Sequence, residues 1–185
     1  MTRWLSIFLV VACAGAQAGP PTAAEDDIAK FMAEKTVKSR LDEVGQKVTD
    51  RAAELVLNAM GFLGVPYRRG GNSAGTGFDC SGFVRAMYEQ PVGLVLPRRA
   101  NEQAAATQSI EKKDLQPGDL VFFNTMKQAF SHVGIYIGEG KFIHSPRPGA
   151  QVRVEDMQQN YWLRRFDGAR RVQAAMTGPG AQLDN

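Results

Sequence analysis

The sequence predicts an α+β fold, with helices first and an antiparallel sheet after them. Three features carry that prediction. Val48, Ala52, Leu55, Val56, Ala59, Met60 and Leu63 recur three and four residues apart, as one face of an amphipathic helix does. From Pro117-Gly118 onward the pattern changes to short apolar runs rich in β-branched and aromatic residues, the signature of strands. Two of those runs, 132–137 and 141–144, are joined by Gly138-Glu139-Gly140, which reads as a hairpin turn. Helices followed by strands, rather than alternating with them, segregate into two layers.

Taken in order, the first element is a targeting signal. Arg3 gives a positive start, 4–12 an apolar core too short to span a bilayer, and Ala16-Gln17-Ala18 a small-x-small cleavage site. That reading makes 1–18 a signal peptide. A second export route competes with it, because Val10-Val11-Ala12-Cys13 resembles a lipoprotein box in which Cys13 is lipidated. The bland alternative for the segment is a buried N-terminal helix. The expected location is outside the cytoplasm, in the periplasm or cell envelope, with membrane contact only through a lipid at Cys13. Residues 19–47 mix both signs of charge with few large apolar residues, so they read as a charged spacer with a frayed helix.

The globular domain is expected over 48–173. Its first helix ends at Gly61, Gly64 and Pro66. A loop follows at 70–75; it lacks the Lys-Ser/Thr ending of a phosphate cradle. A helix opens at Cys80 and runs to about Glu89, and another spans 100–108. Strands are expected at 119–123, 132–137, 141–144, 152–155 and 166–172, with a helical turn at 156–161. Residues 174–185 are small and polar and read as a loose tail. With 185 residues the chain can bury one real core. Its 22 basic and 19 acidic side chains leave a net charge of +3, too balanced to imply a nucleic-acid partner.

Cysteine use points to chemistry. The chain has two cysteines. Cleavage after Ala18 removes Cys13, and lipidation consumes it, so no disulfide forms within the chain by either route. One leftover cysteine in an oxidising compartment is a candidate reactive thiol. Cys80 stands where Phe83, Val84, Met87 and Tyr88 begin a helical pattern. A helix start favours negative charge, so the thiol is expected to ionise more readily than a free one. The competing reading is a small buried hydrophobe.

Thiol catalysis needs a base beside the sulfur and a third polar group to orient the base. The chain has only two histidines. His132 opens one strand of the hairpin and His144 closes the other, so pairing brings them to one edge of the sheet. Cys80 is then the nucleophile, His132 the base and His144 the orienter. Cys80, His132 and His144 are also possible zinc ligands, but the short paired spacings of common zinc sites and a His-Glu-x-x-His helix are both missing.

Tyr67-Arg68-Arg69-Gly70-Gly71, Phe78-Asp79-Cys80-Ser81-Gly82-Phe83-Val84, Leu96-Pro97-Arg98, Gln103, Leu115-Gln116-Pro117-Gly118-Asp119-Leu120-Val121-Phe122-Phe123, Ser131-His132-Val133-Gly134-Ile135-Tyr136-Ile137-Gly138 and Phe142-Ile143-His144-Ser145 occur in that order. The ordered set, over about 50–172, resembles the NlpC family of papain-like cell-wall peptidases. The resemblance implies a reduced papain-like fold with the cysteine helix packed on an antiparallel sheet. It implies hydrolysis of peptide bonds in the stem peptides of bacterial peptidoglycan. The protein is expected to act as a monomer, without a cofactor or metal. The resemblance places Tyr67 near the thiol, its hydroxyl helping the Cys80 N–H hold the oxyanion. It places Asp79 and Ser81 in the pocket for polar groups of the substrate. A core aromatic and a helix cap are the structural alternatives for Tyr67 and Asp79. Arg98 and Arg99 face either acidic stem peptides or solvent. An amidase or acyltransferase on the same fold, or a wall-binding module without catalysis, stands as the alternative function.

Overall fold

In the computed structural model, residues 23–173 are described; the expected signal peptide, Cys13 and the tail at 174–185 lie outside them. The chain divides into a unit ending at Asp42 and a compact unit from Glu43 onward. The first helix, α1, runs without a break from Ala23 to Met60. The frayed helix expected within 19–47 and the helix expected from Val48 are one continuous helix over the described residues. Among the described residues, no helix is long and apolar enough to cross a membrane.

The compact unit is built on a six-stranded antiparallel sheet. Its strands are β3 (Gln108–Ile110), β4 (Leu120–Phe123), β5 (His132–Gly138), β6 (Lys141–His144), β7 (Arg153–Asp156) and β8 (Phe166–Arg171). They lie in the order β3-β8-β4-β5-β6-β7. A two-stranded ribbon, β1 (Asn72–Ser73) with β2 (Gly77–Phe78), leads into helix α2 (Cys80–Val92). Helix α3 (Ala100–Ala105) and the short α4 (Asn160–Leu163) complete the elements used below.

Strand β4 shows why the sheet has two covered faces. All four of its residues are buried, so it reads as a continuous apolar run rather than an alternation. Leu120 and Phe122 face one core with Phe83, Val84, Met87 and Tyr88 of α2. Val121 and Phe123 face a smaller core with Phe142, Met157 and Trp162 of α4. Each such large apolar side chain contributes about 1.5–3 kcal/mol when fully buried.

Three local differences from the sequence expectation have plain causes. Helix α2 passes Glu89 and ends only at Gly93, whose φ of 70° supplies the left-handed cap. Helix α3 stops at Ala105 because 108–110 is needed as an edge strand paired with β8; the Arg170 Nε–H donates to the Ala104 carbonyl at that corner. The loop at 70–75 is partly the β1–β2 ribbon, which packs hard against α2. A Cβ on Gly82 would lie 2.1 Å from the Gly71 carbonyl oxygen, so only glycine fits at position 82 in the first turn of α2.

Candidate active site

Cys80 is the first residue of α2, and Asp79 is its N-cap. Asp79 Oδ1 accepts from the Gly82 N–H at 2.8 Å, and Oδ2 from the Gly70 N–H at 2.9 Å. The same carboxylate takes a bidentate pair from Arg98, at 3.0 and 2.6 Å. Arg98 also donates to Ser81 Oγ at 3.0 Å. Buried Gln103 donates from Nε2 to the Ser81 and Pro97 carbonyls, which ties the start of α2 to the loop carrying Arg98. Asp79 and Ser81, expected to face substrate, are thus engaged by the helix terminus and by Arg98.

The thiol does not behave as a helix start alone would make it. Burial pushes the Cys80 thiol up from its ordinary value, and the adjacent Asp79 carboxylate pushes it further. Backbone N–H groups of Val133, Ser81 and Cys80 pull the other way without prevailing. This runs opposite to the expectation of a readily ionised thiol: desolvation and a neighbouring anion outweigh the backbone N–H groups. The contact with Val133 also locates the sulfur, beside the start of β5. Half-buried Tyr67 lies within the field of both Cys80 and Asp79. Its hydroxyl is pushed up first by burial and then by those two charges.

His132 and His144 meet as the hairpin predicts. Ile135 pairs with Ile143 and Tyr136 with Phe142, so His132 and His144 sit diagonally on one face. His132 Nε2 and His144 Nδ1 are 2.7 Å apart. Gly134 makes the diagonal approach workable, since a Cβ there would lie 2.7 Å from Phe142 Cδ2 and 3.2 Å from His144 Cβ. Trp162 stacks on the His132 ring at 5.8 Å and meets the His144 ring edge-on at 5.2 Å. Both rings are held neutral. Burial brings His132 down to about 3, reinforced by the neighbouring His144, and burial likewise lowers His144. No hydrogen bond joins the sulfur to His132 Nδ1 among the described residues; such contacts commonly tighten only with substrate in place.

A fourth polar residue stands behind His144. In β7, Glu155 pairs with Phe142 and Arg153 with His144, so both charged side chains share the histidine face. Glu155 Oε1 lies 3.7 Å from His144 Nε2. Glu155 Oε2 accepts from the Trp162 Nε1–H, and Oε1 pairs with the Arg153 guanidinium. Burial alone would raise this carboxyl; His144 and the donors Trp162 and Arg153 override it and bring it to about 2. Sequence reasoning did not pick out Glu155, Arg153 or Trp162. The signal was the alternation Val152-Arg153-Val154-Glu155, which puts both charges on the face away from the valines.

Of the three side chains considered as zinc ligands, His132 and His144 are turned onto each other at hydrogen-bond distance. No group of three or more His, Cys, Asp or Glu side chains is placed to hold a metal among the described residues.

Comparison with known proteins identifies the family. The profile of the NlpC/P60 family matches residues 64–171. The chain is 44% identical over 131 residues to murein DD-endopeptidase MepH of Escherichia coli, covering 69% of this chain and 48% of that protein. It is 34% identical over 158 residues to murein DD-endopeptidase MepS/murein LD-carboxypeptidase of the same species, covering 85% of this chain and 75% of that one. The chain therefore spans about half the length of MepH. Among solved structures, the NlpC/p60 domain of the peptidoglycan hydrolase SagA superposes with a TM-score of 0.58 at 34% identity, covering 65% of this chain and 98% of that one. The α+β fold is thus papain-like, and the chain belongs to the NlpC/P60 family.

Proposed function

We propose that the chain is a cysteine peptidase that hydrolyses peptide bonds in the stem peptides of peptidoglycan. The observation that carries this is a thiol at a helix start, beside a strand that begins with a histidine hydrogen-bonded to a second histidine. Relatives named as murein endopeptidases support the substrate class.

In this reading the sulfur and His132 rest as neutral thiol and neutral imidazole, because burial works against both charges. The proton passes from Cys80 to His132 Nδ1 as the sulfur attacks the scissile carbonyl. The oxyanion is held by the Cys80 N–H and the Tyr67 hydroxyl. His132 then returns the proton to the leaving amine, the C–N bond breaks, and water releases the acyl group from sulfur by the same route. His144 holds the His132 ring through Nε2. Asp79 and Ser81 act mainly by fixing the start of α2 and the position of Arg98, whose guanidinium borders the site. The protein works in the cell envelope, with the mature N-terminus after Ala18; an acylated Cys13 in mass spectrometry of the mature chain would overturn that export route.

Cys80→Ser should lower release of peptides from purified sacculi by a factor on the order of 10⁴–10⁶. Undiminished release would end the reading. Chromatography and mass spectrometry of the products identify the bond cut, and new termini outside a stem peptide would point to the amidase alternative.

A further inference from the structure

We propose that Glu155 is a positioning residue that selects the tautomer of His144 and, through it, the proton-accepting tautomer of His132. The inference rests on the thiol–histidine reading above and assigns a role to a strand that reading leaves unused.

A neutral imidazole has one N–H and one lone pair. Between His132 Nε2 and His144 Nδ1, 2.7 Å apart, one nitrogen donates and the other accepts. Two arrangements satisfy that bond. If His132 donates, its Nδ1 keeps a lone pair and can take the thiol proton. If His144 donates, His132 carries its proton on Nδ1 and cannot serve as the base. The hydrogen bond itself does not choose between them.

The choice falls to the far nitrogen of His144. Its Nε2 is buried without a hydrogen-bond partner, and the charged group facing it is Glu155 Oε1 at 3.7 Å. A proton on Nε2 is attracted to that carboxylate, whereas a lone pair there is repelled by it. The proton on His144 therefore goes to Nε2, its Nδ1 becomes the acceptor, and His132 becomes the Nε2–H tautomer with a free Nδ1. A carboxylate behind a functional histidine fixes ring and tautomer in the same way at metal sites.

Glu155 is built to stay ionised and still. Trp162 Nε1–H holds one oxygen and Arg153 the other. Trp162 also stacks on His132, so one indole anchors both the base and the carboxylate that sets its tautomer. The set crosses three adjacent strands, from His132 on β5 through His144 on β6 to Glu155 on β7. The titratable and charged groups on the packed elements are Cys80 and its cap Asp79 at the start of α2, Arg98 in the loop before α3, Arg153 on β7, and Tyr161 on α4, whose ring meets the Trp162 indole.

The test reads tautomers directly. The chain has two histidines, so long-range ¹H–¹⁵N spectra of the full chain show two ring systems. In Cys80→Ala, which removes turnover but not the rings, both should be Nε2–H tautomers. Glu155→Gln should shift His144 towards Nδ1–H, because the amide has one acceptor oxygen for Trp162 and Arg153 and turns its NH₂ to the ring. In the Cys80 background of the wild type, Glu155→Gln should lower kcat about 10–100-fold with KM little changed, and Glu155→Asp should recover part of the loss. Nδ1–H on His144 in the unsubstituted relay overturns the proposal, and so does an unchanged kcat and tautomer in Glu155→Gln. Both failures are distinct from failure of the peptidase reading, which is decided by Cys80→Ser alone.

Discussion

Two carboxylates stand at opposite ends of the site and do different work. Asp79 adjoins Cys80 in sequence, yet its oxygens are taken up by the Gly82 and Gly70 amides and the Arg98 guanidinium. Its electrostatic effect on Cys80 is to discourage the thiolate. Glu155 lies far away in sequence, yet it faces His144 and is bound by Trp162 and Arg153. Neighbourhood in the chain thus marks the group that builds the helix terminus. The group aimed at the paired histidines arrives through strand pairing.

The largest difference between the two ends should appear in acid. His132 and His144 are held neutral in the folded chain, so below the ordinary 6.5 the unfolded chain takes up protons that the folded one refuses. Stability is full above that pH and is lost as pH falls towards about 3, the folded value of His132. Glu155 adds to the loss between its ordinary 4.5 and about 2. Each histidine should contribute roughly 1 kcal/mol per pH unit within its window. Urea unfolding at pH 7, 5.5 and 4 should show the decline, and His132→Gln should flatten it by about one proton. A stability that stays level over that range would mean the rings titrate freely.

Asp79→Ala attacks the other end. It removes an N-cap, worth about 1 kcal/mol, and leaves a partly exposed Arg98 without its partner. The pair is screened on the Arg98 side, where 35% of the side chain is exposed, so its share is discounted. The expected cost is about 2 kcal/mol in unfolding free energy at pH 7. Glu155→Ala should cost at least as much stability, because it leaves the buried Trp162 N–H without its acceptor, while costing far more activity. Equal losses in both quantities for the two variants would erase the distinction between a structural and a positioning carboxylate.

Much of the site can be read from residue types, because the relevant types are rare. Two histidines, a cysteine with no mate and a Gly-Glu-Gly turn leave few ways to assemble a base beside a thiol. Glu155 and Arg98 belong to common residue classes, and the local pattern gives a face or a motif but not the partner each one meets. Their roles depend on the pairing of β6 with β7 and on the loop that Gln103 fastens to α2. Strands β1, β2 and β3 span two or three residues, too few for a period to show. The front of α1 is legible as helix but not as a regular one: it has helix-forming alanine, glutamate and lysine in quantity but no strong apolar stripe to fix its length.

The smallest effect is the most specific to Cys80. Asparagine caps a helix as well as aspartate, so Asp79→Asn keeps the geometry of α2 while removing one of the two causes that raise the thiol. It also frees the Arg98 cation, which already interacts with Cys80. Both changes favour the thiolate. Iodoacetamide should therefore alkylate Asp79→Asn several-fold faster than wild type at neutral pH, since one unit of pKa is about tenfold in thiolate population. In the wild type the rate should still be climbing at a pH where a free cysteine has levelled off. Glu155→Gln, at the far end of the relay, should leave the alkylation rate nearly unchanged, because the sulfur does not feel that carboxylate directly. Faster alkylation in Glu155→Gln than in Asp79→Asn would show that the resting thiol is governed through the histidines rather than through the helix terminus.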